Sequence, residues 1–271
     1  MLTSYKTKLS SSRCIRGICA CALLTAFSAL GSHAALADGG PPMVTDDPGT
    51  PGDGRFEINL ATLVNRSAAV TDYEIPLADI NYGVGERLQL KVETPYAMLK
   101  DANGRATGLG NTLVGVKWRF WDGGEEGFKL STYPQVQLNS ASPSSKTKGL
   151  ADPGTNVLLP VQFQKGFGDW DITADLGRWQ RVAELDSTWL AGVVLGHKLH
   201  ANDQLMLEVH TERADGTHHG ETLVNLGTHI EISPHLTLLL SLGRDISNTL
   251  TPFNQFFCYV GMQIHIATKS P

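Results

Sequence analysis

Twelve stretches of about ten residues, each alternating apolar and polar side chains, lie between Phe56 and Ile266, and their connectors read alternately long and short. Successive strand side chains point to opposite faces, so each stretch sorts into an apolar row and a polar row. Phe56, Ile58, Leu60, Thr62 and Val64 oppose Glu57, Asn59, Ala61 and Asn65. Leu88, Leu90, Val92, Thr94 and Tyr96 oppose Gln89, Lys91 and Glu93, and Val114, Val116, Trp118 and Phe120 oppose Gly115, Lys117 and Arg119. The stretches near 74–82, 188–199 and 236–243 alternate less cleanly. Pro76, Pro134 and Pro160 each remove a ladder donor, which a strand tolerates only near a bulge or an end.

A soluble sandwich would also separate such rows. Three details point to a membrane instead. The stretches exceed the usual five or six residues of soluble strands and match a tilted bilayer crossing. Aromatic residues such as Tyr82, Tyr96, Trp118, Phe120, Phe167, Trp170, Trp189 and Phe256 gather toward stretch ends, as interfacial girdles do. Connector lengths alternate as well. Short turns are expected near 83–87, 122–127, 166–169, 201–203 and 233–235, and longer loops near 66–73, 100–110, 140–156, 180–186, 213–220 and 244–252. The expected fold class is all-β: an antiparallel transmembrane β-barrel of about 12 strands in the bacterial outer membrane, with both termini periplasmic.

Residues 1–37 read as a signal peptide. They carry Lys6, Lys8, Arg13 and Arg16 without an acid, then an apolar run from Ile18 to Leu30 and the small-residue ending Ala35-Leu36-Ala37. Of the 22 Lys and Arg, those four leave with the signal, so the mature chain has 18 bases against 27 acids and a net charge of −9. An acidic balance disfavours nucleic acid as a partner. Cys14, Cys19 and Cys21 leave too, and Cys258 alone offers neither a disulfide nor a thiolate metal cluster. No mature stretch reaches 18 consecutive apolar residues, so spanning helices are not expected. Residues 38–54, rich in Pro and Gly, read as an extended periplasmic lead-in; a bolder reading has them enter the lumen and gate it. The barrel domain is expected over 55–271.

Particular motifs carry a family resemblance. They are Gly40-Pro41-Pro42-Met43-Val44-Thr45-Asp46-Asp47-Pro48-Gly49-Thr50-Pro51, then Asp79-Ile80-Asn81-Tyr82-Gly83-Val84, Leu88-Gln89-Leu90-Lys91-Val92-Glu93-Thr94-Pro95-Tyr96 and Gly108-Leu109-Gly110-Asn111. Over roughly residues 40–120 the chain resembles a family of outer-membrane β-barrels named for the meta-cleavage pathway of phenol degradation, whose members are described as transporters. The resemblance implies a transporter or diffusion channel for small solutes, with aromatic or apolar ones suggested by the family name alone. The chain departs from many outer-membrane barrels at its C-terminus, where Ile266 stands in place of a terminal aromatic residue.

The polar rows supply the lumen-facing candidates: Glu57, Lys91, Glu93, Lys117, Arg119, Asp171, Asp175, Glu208, His210, Glu212, His229 and Glu231. Acids, bases and amides lining a narrow lumen set ionic selectivity, or else satisfy one another in a plug. His210 with His229, flanked by Glu208 and Glu231, is the cluster best placed for acid–base or metal chemistry, since adjacent strands of shared parity can bring such side chains together. Neither a G-x-S-x-G elbow nor an H-E-x-x-H helix occurs, so an enzyme is not the expected reading, and no cofactor or metal is expected. The expected partners are outer-membrane lipids, a small-molecule solute and the barrel-assembly machinery. Two alternatives stay open at this point: a plugged structural or adhesion barrel, and a lipid-modifying enzyme.

Overall fold

A computed structural model describes residues 40–124, 127–182, 187–200, 203–217, 219–249 and 254–268. The signal peptide expected over 1–37 lies outside the described residues. The chain forms β1 (Arg55–Ser67), β2 (Thr71–Val84), β3 (Leu88–Asp101), β4 (Gly104–Leu109), β5 (Leu113–Asp122), β6 (Phe128–Thr132) and β7 (Gln135–Gln137). A short helix α1 (Pro143–Thr147) precedes β8 (Asn156–Phe167), β9 (Trp170–Arg181), β10 (Ser187–His200), β11 (Asp203–Ala214), β12 (Gly220–Ser233), β13 (Leu236–Asn248) and β14 (Asn254–Ala267).

Each strand pairs antiparallel with its neighbours, and β1 pairs with β14 from Arg55↔Ala267 to Ser67↔Asn254, which closes the ring. Two positions in the ring are split. β4 and β5 lie end to end along β3, and β6 and β7 lie end to end between β5 and β8. The fourteen segments therefore make a closed barrel of twelve staves. Closure leaves no strand edge to be solvated, the condition lipid imposes on any sheet.

The prolines account for the irregularities. Pro76 sits where the β2–β3 register shifts between Glu74 and Leu77. Pro134 separates β6 from β7, and its carbonyl accepts the Val116 N–H at 3.0 Å. The Pro160 carbonyl accepts Thr132 Oγ1 at 2.8 Å, so this residue directs its donor-less nitrogen at that same break. The other break, at 110–112, is covered by the loop 138–155. Asn111 donates to the Asp152 carbonyl at 2.8 Å and accepts from Ala141 N at 3.1 Å.

Burial runs opposite to that of a soluble protein. Leu90 and Val92 are 47% and 50% exposed, while Gln89, Lys117 and Glu208 are 6%, 3% and 0% exposed. The apolar rows face out and the polar rows face in, which a water-filled exterior would not support over so much contiguous surface. Outward aromatics cluster at the short-turn end: Phe56 with Tyr82 (centroids 4.7 Å apart), Trp118 with Phe120 (5.8 Å) and Trp121 with Phe128 (6.0 Å).

Connector lengths differ from expectation in one respect. β2 and β3 have 14 residues each, because their ladders continue into residues expected to be loop. The expected loop 66–73 shrinks to 68–70, and the expected loop 100–110 is a hairpin whose second arm is β4. Among the connectors described in full, 138–155 is the long one. Extra ladder hydrogen bonds beyond the bilayer satisfy backbone groups that a loop would leave to water.

Val209→Arg places a charge on the outer face at mid-strand. It is expected to destabilise the protein in lipid vesicles by about 2–4 kcal/mol in denaturant unfolding, whereas a water-facing position would change by no more than ~0.5 kcal/mol.

Candidate functional site

The interior is built by the inward rows, and residues 40–54 run within it rather than trailing away from β1. Their path begins at the short-turn end, where Gly85 N donates to Asp53 at 2.9 Å and Thr50 Oγ1 to the Glu86 carbonyl at 2.9 Å. Gly83 has to be glycine here, since a Cβ would overlap the Gly52 carbonyl. Deeper in, Gly40 N donates to the Thr45 carbonyl (2.9 Å) and Met43 N to the Gly40 carbonyl (2.8 Å), closing a compact turn.

Wall carboxylates hold this turn by its backbone. Val44 N and Thr45 N donate to the two oxygens of Glu208 at 3.2 and 2.6 Å, and Asp46 N to Asp175 at 3.3 Å. Asn225 Nδ2 donates to the same Glu208 at 3.0 Å. From the other side of the lumen, Lys117 Nζ reaches Asp46 at 2.8 Å and the Asp47 carbonyl at 2.6 Å. Charge-assisted bonds of this kind are about twice as strong as neutral ones. Burial pushes the Asp47 carboxyl above the usual carboxylate range against the pull of Lys117, and its side chain accepts the Gly49 N–H. His229 Nε2 lies 3.0 Å from the Pro41 carbonyl, and Ser241 Oγ donates to the Pro42 carbonyl at 3.0 Å. Met43 packs on Val194 and Met206. The segment thus touches β5, β9, β10, β11, β12 and β13, a wide arc of the ring.

A second network lies on β1–β3. Asp79 accepts from Asn59 and Asn81, both at 3.1 Å, and Gln89 donates to Asn81 at 2.7 Å and to the Tyr133 hydroxyl at 3.0 Å. Lys91 pairs with Glu93 at 2.8 Å and Asp79 at 3.6 Å. Lys117 stands 4.7 Å from the Tyr133 ring centroid, which joins this network to the segment.

An apolar cluster shares some of these staves. Ala61, Leu77, Leu223, Leu239, Phe257 and Tyr259 form one buried cluster on β1, β2, β12, β13 and β14, five consecutive staves. Toward the long-loop end, a cavity of 860 Å³ is lined by Gln137, Asn156, Trp179, Arg181, Thr188 and Glu212, among others. Glu212 sits 3.6 Å from His210, whose Nδ1 is 3.4 Å from Thr45 Oγ1, so the cavity leads down to the held turn.

The inward candidates divide by role. Lys117, Asp175, Glu208, His210 and His229 meet the segment, while Lys91 and Glu93 pair on the β3 wall. Glu57 accepts from Asn59 at 3.4 Å. Asp171 accepts from Gln204 at 2.6 Å. Arg119 pairs with Asp122 at 3.2 Å and donates to the Glu86 carbonyl at 2.6 Å, so it braces the short-turn end. The expected pairing of His210 with His229 does not form. Register sets His229 opposite Gln204 and His210 opposite Leu223, six residues apart on β11, or about 20 Å along a strand. Glu231 lies still closer to the short turn, its N–H donating to Asp203. Among the described residues, no group of three or more His, Cys, Asp or Glu could hold a metal ion. Asp79, Asn225 and Tyr133 escape a reading of the sequence as lumen candidates, although Asn225 stands on a polar row and Asp79 in a family motif.

Gly83→Ala is expected to loosen the seat of residues 40–54 by about 1–3 kcal/mol, read as faster proteolysis of that segment in the folded barrel. Gly166→Ala, where a Cβ meets nothing closer than 4.0 Å, should leave the rate unchanged. Lys117→Met should also speed cleavage, because it strands the Asp46 carboxylate.

The fold is shared with solved outer-membrane proteins. An outer-membrane channel from Pseudomonas putida F1 superposes with a TM-score of 0.68 at 13% identity, over 81% of this chain and 98% of that one. The NanC porin gives 0.58 at 6% identity over 76% and 98%, and the KdgM porin 0.54 at 8% over 77% and 98%. At such identities the likeness is one of fold: an outer-membrane barrel of the channel and porin kind. No curated protein matches the sequence. The family model described as "Putative MetA-pathway of phenol degradation" matches residues 39–257, and this chain belongs to that family.

Proposed function

We propose that the protein is an outer-membrane channel for small solutes whose lumen is closed in this conformation by residues 40–54, which act as its gate. The short-turn end, where β1 begins and β14 ends, faces the periplasm in this reading, and the long-loop end faces outward. One observation carries the proposal: residues 44–47 bind Glu208 and Asp175 on one side and Lys117 on the other, so a single turn of chain bridges the lumen. The bonds are polar and individually modest, about 1.5–3 kcal/mol each where a charge takes part. A lumen that opened to water would rehydrate every partner, so release exchanges hydrogen bonds rather than abolishing them.

The apolar sector of the wall supports apolar or aromatic solutes as cargo, a class the family description also suggests through its mention of phenol degradation. A solute with an aromatic body and one polar group could keep the body against Leu77, Leu239 and Phe257 while its polar group met the opposite wall.

Deletion of residues 39–52 is expected to raise single-channel conductance in a planar bilayer several-fold. Unchanged conductance in a deletion variant that still folds would remove the gate from the proposal.

A further inference from the structure

The outer face of the barrel separates charge by height. At the long-loop end the strands turn Arg66, Lys100, Arg105, Arg178, Arg213 and Arg244 outward, in register with lipid-facing residues such as Phe256 and Trp189. Asp215, in the turn after β11, pairs with Arg178 at 2.6 Å, while the strand acids Asp72, Glu212 and Asp245 have the opposite parity. Toward the short-turn end the described strands turn out Lys165, the cross-strand partner of Phe128.

Three of these bases form a row. Arg66 faces Thr71, Thr71 faces Lys100 and Lys100 faces Arg105 on successive strands. Neighbouring strands are about 5 Å apart, so three cations fall within roughly 15 Å, two of them directly opposed. Like charges so placed repel. No ion pair among the described residues neutralises any of the three. The nearby Asp101 carboxylate is engaged inside its own turn, accepting Asn103 N at 2.7 Å and Asn103 Nδ2 at 3.2 Å. Arg66 and Lys100 border a cavity of 430 Å³ together with Thr71, Tyr73 and Asp101, so two cations face one carboxylate there. The exposed apolar band begins just below, with Leu109 58% and Tyr96 41% exposed.

A row of three closely set cations with hydroxyl donors beside it, standing directly over a lipid-facing surface, fits an anion delivered by the membrane. We propose that this row binds the phosphorylated headgroup of a glycolipid in the outer leaflet. The phosphates meet Arg66, Lys100 and Arg105, and the acyl chains lie along the apolar band beneath. A soluble anion would have no cause to select the outward face at that height, where the acyl chains gain contact only if the ligand is a lipid. The inference rests on the reading that the long-loop end faces outside.

The experiment uses the refolded barrel in detergent, with native mass spectrometry against diphosphorylated lipid A, dephosphorylated lipid A and inorganic phosphate. The wild-type protein is expected to retain diphosphorylated lipid A in preference to the dephosphorylated form. The triple variant Arg66→Gln, Lys100→Gln, Arg105→Gln should bind it about tenfold more weakly, and Lys165→Gln should bind as wild type. Heat-dependent gel migration verifies that each variant is folded. Equal binding by the triple variant, equal binding of the dephosphorylated lipid, or full competition by millimolar phosphate would overturn the proposal. Orientation is read separately: Ala102→Cys in a Cys258→Ala background should react with an impermeant maleimide on intact cells. Failure of that labelling with binding intact would refute the orientation alone.

Discussion

Every other feature of this protein depends on the pairing of β1 with β14. A sheet in hydrocarbon has no water to satisfy its edge, so the ladder must return to its own beginning. Closure fixes an even number of antiparallel staves and places the start of β1 and the end of β14 on the same side. It also defines an inside that side chains alone must fill or leave open. The two broken staves show how strict the requirement is. At one break two prolines oppose each other so that neither presents an unpaired N–H, and at the other a loop supplies the missing partners.

The interior solves a problem that soluble cores do not face. Twelve staves enclose more space than their inward side chains fill when charges are to be kept paired. The wall is accordingly of two kinds, two hydrogen-bonded polar networks and an apolar cluster that packs on itself, and they share β1, β2, β12 and β13. Residues 40–54 occupy part of what remains. They satisfy wall carboxylates with peptide N–H groups and satisfy Lys117 with a carboxylate and a carbonyl. Buried charge is tolerated here because both sides supply partners.

Much of this is legible in the sequence. Strand number and the inside–outside assignment follow from period-two alternation and connector rhythm. The stretches that alternate weakly have a physical explanation. Leu77 on β2, Leu190 and Val194 on β10 and Leu239 on β13 point inward, so those strands carry apolar residues on both faces. Parity cannot assign a strand whose two environments are equally apolar. Register is legible too, and it separates the two histidines: a turn over 213–220 pairs His210 with Leu223 and His229 with Gln204, so shared parity alone does not bring them together. The route of residues 40–54 is hidden, since their contacts are with residues as far as 199 positions away and run largely through the backbone.

That backbone-mediated grip has a consequence for how such a barrel can change over time. Glu208 and Asp175 recognise the peptide groups of residues 44–46 and are indifferent to the side chain of Val44, which stays 41% exposed. The position is held in place without being specified. Substitutions at residue 44 other than proline can therefore alter the surface this segment presents while the hydrogen bonds that seat its backbone persist. The side chain there is free to diverge, and the peptide groups that Glu208 and Asp175 hold stay the same whatever it becomes.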